Sequence, residues 1–218
     1  MMNNTIELNN ISYKYPKGRK VFDNFSLQLN NGEITVLTGK NGSGKTTLTK
    51  LIMGILKPSS GEIKLFGQST RELSLGSIGE MVGYVFQYPE RQLFSTSVVE
   101  ELTFPLLFKG YNKRETMDKA EEMLKLFDLE KVKNSYPLFL SYGEKRRLAV
   151  ASVLMIGPKY LILDEPTASL DKERIDALSK VIENLKKRNI GMLIISHKKD
   201  FIERHKDRII VLEGVNYE

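Results

Sequence analysis

Apolar and polar positions change rhythm along the chain, and each change marks an element. Thr5-Ile6-Glu7-Leu8-Asn9 and Phe25-Ser26-Leu27-Gln28-Leu29-Asn30 alternate with period two, predicting antiparallel strands with one wet face. Pro16-Lys17-Gly18 predicts a turn between them. Glu33-Ile34-Thr35-Val36-Leu37-Thr38 does not alternate; a short, largely apolar, β-branched run predicts a buried strand. Val82-Gly83-Tyr84-Val85-Phe86, Tyr160-Leu161-Ile162-Leu163 and Met192-Leu193-Ile194-Ile195 read the same way, and Arg208-Ile209-Ile210-Val211-Leu212 closes the series. Glu62-Ile63-Lys64-Leu65-Phe66 is a further strand, entered after Lys57-Pro58-Ser59-Ser60-Gly61 has stopped a helix.

Helical spacing appears between these runs. Residues 45–53 carry Leu48, Leu51 and Ile52 on one face, and residues 113–128 carry Met117, Ala120, Leu124 and Phe127. Residues 171–188 and 198–204 complete the alternation of helix with strand. The pattern predicts an α/β fold: a mostly parallel sheet with helices on both faces, and an antiparallel N-terminal β subdomain. About 88–157 forms a helical insert in a core of 1–87 and 158–218, with Pro89, Pro105 and Pro137 as its breaks. There is no internal repeat and no low-complexity tract.

Composition narrows the function classes. A chain of 218 residues, 41% hydrophobic, can bury the core of one domain with an insertion. Its net charge of +6 is spread along the sequence, fitting a solvated surface better than a nucleic-acid stripe. Cysteine is absent, which removes disulfides and thiolate metal sites and suits a reducing cytoplasm. Residues 1–5 lack the regions of a signal peptide, and no apolar run approaches a membrane span, so a membrane role is expected to come through a partner.

The chemistry concentrates in Gly39-Lys40-Asn41-Gly42-Ser43-Gly44-Lys45-Thr46, a G-x-x-x-x-G-K-T turn from strand to helix. Such a turn aims backbone N–H groups inward, and the helix N-terminus adds partial positive charge. Lys45 can reach β- and γ-phosphates, and the Thr46 hydroxyl can ligate Mg²⁺. The apolar strand 160–163 ends in Asp164 and Glu165, which places Asp164 beside the metal and Glu165 near an attacking water as general base. His197 ends another strand on the same edge and can contact the γ-phosphate. Gln87 ends a third, within reach of metal or water. His205, in a charged helix, reads as a surface residue.

The ordered set of 39–46, Gln87, Leu140-Ser141-Tyr142-Gly143-Glu144, Asp164-Glu165, Ser169-Leu170-Asp171 and His197 resembles the nucleotide-binding domain of ABC transporters over nearly the whole chain. The resemblance implies a P-loop ATPase that binds ATP and Mg²⁺. Asn41, Gly42, Ser43, Gly44, Lys45, Thr46 and Thr47 would contact the nucleotide, and Tyr15 would stack on adenine. Thr46, Gln87 and Asp164 would hold the metal, and Glu165, His197 and Gln87 would serve hydrolysis. It also implies a head-to-tail dimer, in which Ser141 and Gly143 reach the γ-phosphate on a second ATPase subunit and Asp171 lines the interface.

The run Gln87-Tyr88-Pro89-Glu90-Arg91-Gln92-Leu93-Phe94, followed by Val98-Val99-Glu100-Glu101-Leu102-Thr103-Phe104, is similar to the ATPases of energy-coupling-factor importers for vitamins and cobalt or nickel. There a short helix in this segment grips an integral-membrane coupling subunit, which works with a substrate-binding membrane protein. That likeness implies a peripheral protein on the cytoplasmic face of the membrane. Two departures stand out. Tyr142 occupies a position where the family usually has Gly and Glu144 one where it often has Gln, which suggests a heterodimer with one weaker ATP site. The chain also stops soon after its last strand, where relatives often continue into a C-terminal dimerisation region, so its dimer without ATP is expected to be weak. Other readings are the ATPase of a different ABC transporter, or a soluble ABC ATPase acting on ribosomes or nucleic acid.

Overall fold

A computed structural model describes residues 5–168 and 170–213. Two sheets carry the fold. β1 (Thr5–Lys14), β2 (Lys20–Asn30), β4 (Ser60–Leu65) and β5 (Gln68–Ser69) form an antiparallel sheet in the order β2-β1-β4-β5. β3 (Ile34–Gly39), β6 (Val82–Val85), β7 (Tyr160–Asp164), β8 (Gly191–Ile195) and β9 (Arg208–Leu212) form the second, in the order β6-β7-β8-β3-β9. Every pairing in the second sheet is parallel. The helices are α1 (Lys45–Ile52), α2 (Leu75–Met81), α3 (Val98–Phe108), α4 (Lys113–Leu126), α5 (Tyr142–Ile156), α6 (Lys172–Lys187) and α7 (Lys199–His205).

The parallel strands lack alternation because both of their faces are buried. Side chains still point to opposite faces with period two. Ile34, Val36, Leu161, Leu163, Met192 and Ile194 therefore join one core with α3–α7, while Leu37, Ile162, Leu193 and Ile195 join another with α1 and the antiparallel sheet. The helices at 98–156 share the first of these cores with the parallel sheet. In 113–128, Ala120, Leu124 and Phe127 are buried as the spacing predicts, and Met117 is half-buried.

Two local expectations fail. Pro105 lies inside α3 and does not break it. The helix ends three residues later at Phe108, so the missing N–H costs only one bond near its C-terminus. Pro89 and Pro137 do begin short 3₁₀ turns, at Pro89–Arg91 and Pro137–Phe139. His205 is 5% exposed, not a surface residue: its Nε2 lies 2.8 Å from the Ser179 hydroxyl, and its ring packs on Phe201. The charged neighbours point outward on α7 and hide the one face that turns in.

Candidate active site

Because β3, β6, β7 and β8 are parallel, their carboxyl ends meet at one edge, where α/β sheets bind ligands. β3 ends at Gly39 with φ 146°, and a Cβ there would lie 2.3 Å from the Leu212 carbonyl oxygen, so only glycine fits. Gly44, at φ 102°, caps the start of α1. Between them Ser43 is 5% exposed, and its hydroxyl has no partner among the described residues. The Lys45 Nζ donates to the carbonyls of Gly39 (2.7 Å) and Lys40 (3.0 Å), which holds the ammonium over the loop.

A cleft of about 660 Å³ opens over this loop. Tyr15, Asn41, Gly42, Gly44, Lys45, Thr46, Thr47, Gln87, Asp164, Glu165 and His197 line it together. Tyr15 reaches it from the end of β1, with its hydroxyl 3.2 Å from that of Thr47 and its ring edge-on to the buried Tyr13. Val21, Ala168 and Ile195 also line the cleft and were not foreseen; apolar residues without a motif give no signal in sequence.

The two acids differ in setting. Burial raises the pKa of Asp164, opposed by the Tyr84 hydroxyl, which donates to its Oδ2 at 2.9 Å, and by Arg146 and Lys45. Glu165 has φ 46°, an uncommon conformation for a non-glycine residue. Its N–H donates to the Ile195 carbonyl, and its Oε1 lies 3.4 Å from His197 Nε2. Burial raises the Glu165 pKa, and His197 pulls the other way. A carboxylate held more basic than usual, open to a cleft, is a competent proton acceptor.

The residues fit a nucleotide polyphosphate and a hard cation. The unpartnered Ser43 hydroxyl and the glycine cradle suit phosphate oxygens. Among the described residues no group of three or more His, Cys, Asp or Glu could hold a metal, so a cation would use the Thr46 hydroxyl, the Asp164 carboxylate, the Gln87 amide and phosphate oxygens. That oxygen set suits Mg²⁺.

Ser141 and Gly143 do not line the cleft; they stand at the start of α5. Ser141 caps α5 in a capping box, its Oγ donating to Glu144 Oε2 (2.7 Å) and accepting from the Glu144 N–H (3.3 Å). Gly143 is backed by Arg174, whose side chain would sit 2.6 Å from a Cβ at that position. Asp171 caps α6 and pairs with Arg174. Ser169 lies outside the described residues. Tyr142 turns back onto its own chain, its hydroxyl donating to the Gln87 carbonyl at 3.2 Å. The hydroxyl of Tyr142 is thus engaged within this chain.

Arg146 was missed altogether. It stands in Lys145-Arg146-Arg147, a charged run with no motif to single it out, yet it is 1% exposed. Helix phase was the available signal: Arg146 lies four residues after Tyr142 and four before Val150, on the buried face.

The sequence profile described as ABC transporter matches residues 22–168. A Pyrococcus furiosus protein named as an ABC transporter ATP-binding protein is 37% identical over 209 residues, 96% of this chain and 80% of its own. The energy-coupling factor transporter ATP-binding protein EcfA2 of Acetivibrio thermocellus is 35% identical over 95% of this chain and 76% of its own. A Bacillus cereus ABC transporter ATP-binding protein, 38% identical, matches 95% of this chain, which spans 37% of that longer protein. Among solved structures, cbiO1 of Clostridium perfringens, part of the ABC transporter complex cbiONQ, superposes with a TM-score of 0.88 at 31% identity, covering 99% of this chain and 88% of that one. A dimeric ATP-binding cassette bound to ADP and Pi superposes at 0.84 with 27% identity, over 95% and 94%. With a family match over more than half its length and relatives of this identity, the chain belongs to the ABC transporter family as an ATP-hydrolysing subunit.

Proposed function

We propose that this chain powers an energy-coupling-factor-type importer for a vitamin or a transition metal, from the cytoplasmic face of the membrane. The observation that carries the reading is the likeness to EcfA2 and to cbiO1, together with the surface after Gln87. There Phe94 and Phe104 meet edge-on, Phe108 stacks on Phe104, and the three are 64%, 40% and 82% exposed. Exposed aromatic clusters of this kind suit a protein partner. Among the described residues no helix is long and apolar enough to cross a membrane, so an integral-membrane coupling subunit and a substrate-binding membrane protein would supply the passage.

ATP binds with its phosphates on the loop 39–46, held by backbone N–H groups, Ser43 and Lys45, and with adenine against Tyr15. Thr46, Asp164 and Gln87 would hold Mg²⁺, which would supply charge neutralisation at the phosphate oxygens. Glu165 takes the proton of the attacking water and His197 steadies its carboxylate and the γ-phosphate. Ser141 and Gly143 serve a second, similar subunit across a head-to-tail dimer, with Asp171 at the interface. A heterodimer is the finer reading, resting on Tyr142 and Glu144 in place of the usual residues. Residues about 88–157 act as the helical subdomain that meets the membrane partner.

A pull-down of the tagged chain from its native membranes in mild detergent tests this. A multi-spanning protein and a second, similar ATPase are the expected companions. Ribosomal proteins or nucleic acid without a membrane subunit would overturn the transport reading, and equal turnover at both ATP sites would remove the heterodimeric one.

A further inference from the structure

Arg146 is a fully buried cation whose hydrogen bonds go to uncharged oxygens. Its two terminal nitrogens are spent on oxygen atoms of three separate segments, while Nε has no partner among the described residues. Nη1 donates to the carbonyl of Phe86 at 2.8 Å, the residue before Gln87. Nη2 donates to the carbonyl of Glu165 at 3.0 Å and to the Tyr142 hydroxyl at 3.3 Å. Tyr142 in turn donates to the carbonyl of Gln87. Burying a cation is costly unless its hydrogen bonds are well made, so one kept here needs a geometric reason. The reason lies in what it touches. Glu165 sits in the left-handed region, a conformation that persists only where its surroundings hold it, and the Arg146 fork grips its carbonyl. The same fork grips the exit of β6, and Tyr142 stands between Ser141 and Gly143 at the start of α5.

We propose that Arg146 and Tyr142 are positioning residues of the ATPase site, locking the backbones of Glu165 and Gln87 to the start of α5 within one chain. This rests on the role proposed above for Glu165. A shift of α5 against the segment at Gln87 then either carries the Glu165 backbone along or breaks these bonds. The carboxylate thereby responds to the position of the face carrying Ser141 and Gly143, although no side chain of that face enters the cleft.

The test uses the full chain in the complex recovered from native membranes, with Arg146→Lys and Tyr142→Phe. A lysine offers one nitrogen and cannot span both carbonyls, whereas phenylalanine keeps the ring and loses only the hydroxyl. Arg146→Lys is expected to lower kcat about tenfold or more, and Tyr142→Phe about two- to fivefold. Affinity for a fluorescent ATP analogue should stay within about twofold for both, because neither side chain touches the phosphate loop. The two losses should also be less than multiplicative in the double variant, since both act on one network. Unchanged kcat in Tyr142→Phe, or affinity falling in step with kcat, overturns the proposal, and this holds even if Arg146→Lys fails to fold. Glu165→Gln is run alongside. If that variant turns over normally, the assignment of Glu165 fails; if it stalls while the other two are normal, only the positioning role fails.

Discussion

The sheet edge and the start of α5, the two regions to which the proposed chemistry is assigned, are built in opposite ways. At the sheet edge, four parallel strands end together, and the phosphate loop, Asp164, Glu165, Gln87 and His197 face one cleft. Polar groups there wait for a ligand: the Ser43 hydroxyl is unpartnered, and the Lys45 ammonium rests on backbone carbonyls. At the start of α5 most polar groups are already paired, Ser141 with Glu144 and Tyr142 with the Gln87 carbonyl and Arg146, though Arg146 Nε has no partner among the described residues. One region is a site in its own right. The other is a surface paired within its own chain, as expected where a second subunit supplies the nucleotide.

The sharpest way to break this comparison is to remove the proposed base at the sheet edge. Glu165→Gln keeps the shape of the side chain and should lower kcat about 10²- to 10⁴-fold with ATP binding retained, measured by steady-state hydrolysis and by nucleotide binding. The pH profile gives a second reading of the same group. Its pKa is raised, so turnover should fall on the acid side above the range of an ordinary glutamate. His197 lowers that pKa, so His197→Ala should move the acid limb upward. An acid limb that stays put would separate His197 from Glu165.

Lys45→Ala comes next in size. It removes charge-assisted contacts to phosphate of about 1.5–3 kcal/mol, hence roughly 10- to 150-fold in ATP affinity. Ser141→Ala probes the other half. Losing the cap should cost about 1 kcal/mol of stability, seen as a lower Tm, and should reduce turnover of the assembled dimer. ATP affinity of the isolated chain should not move. If it does, the two regions are not separate.

The contrast also explains what could be read from sequence. The sheet edge was legible because its parts are glycine, acid and histidine placed at the ends of apolar runs, where periodicity marks the strand and the motif marks the turn. The parallel sheet was legible for the same reason, in runs such as Tyr160-Leu161-Ile162-Leu163 that carry no wet face. The network around α5 was not. Tyr142 could be seen as a departure, yet which way its ring turns is decided by the Gln87 carbonyl, 55 positions away. His205 reads as a surface residue, and Arg146 gives no sign of burial, because local composition around both is charged; only the packing of neighbouring elements buries them.

The smallest effect expected concerns the opposite end of the parallel sheet, and it sharpens the comparison by touching neither half. Asp207 Oδ2 accepts from the Ile34 N–H at 2.9 Å, and Oδ1 lies 2.5 Å from Lys186 Nζ, which ties the start of β3 to α6 and β9. Burial opposes the charge on Asp207, but the Ile34 and Lys186 bonds outweigh it and hold its pKa below the usual aspartate value. A depressed pKa means a stabilisation that is complete above the unfolded value, about 3.9, and is lost as pH falls through the folded one. The Asp207 side chain is 36% exposed, so water screens the pair and Asp207→Asn should cost about 1 kcal/mol or less. Chemical denaturation should show that difference level from neutral pH to about 5 and declining below about 4 as pH falls through the folded-state value. Turnover and ATP affinity should stay at their native values throughout. A loss of hydrolysis in Asp207→Asn would mean that the amino ends of the strands, and not only their carboxyl ends, set the geometry of the cleft.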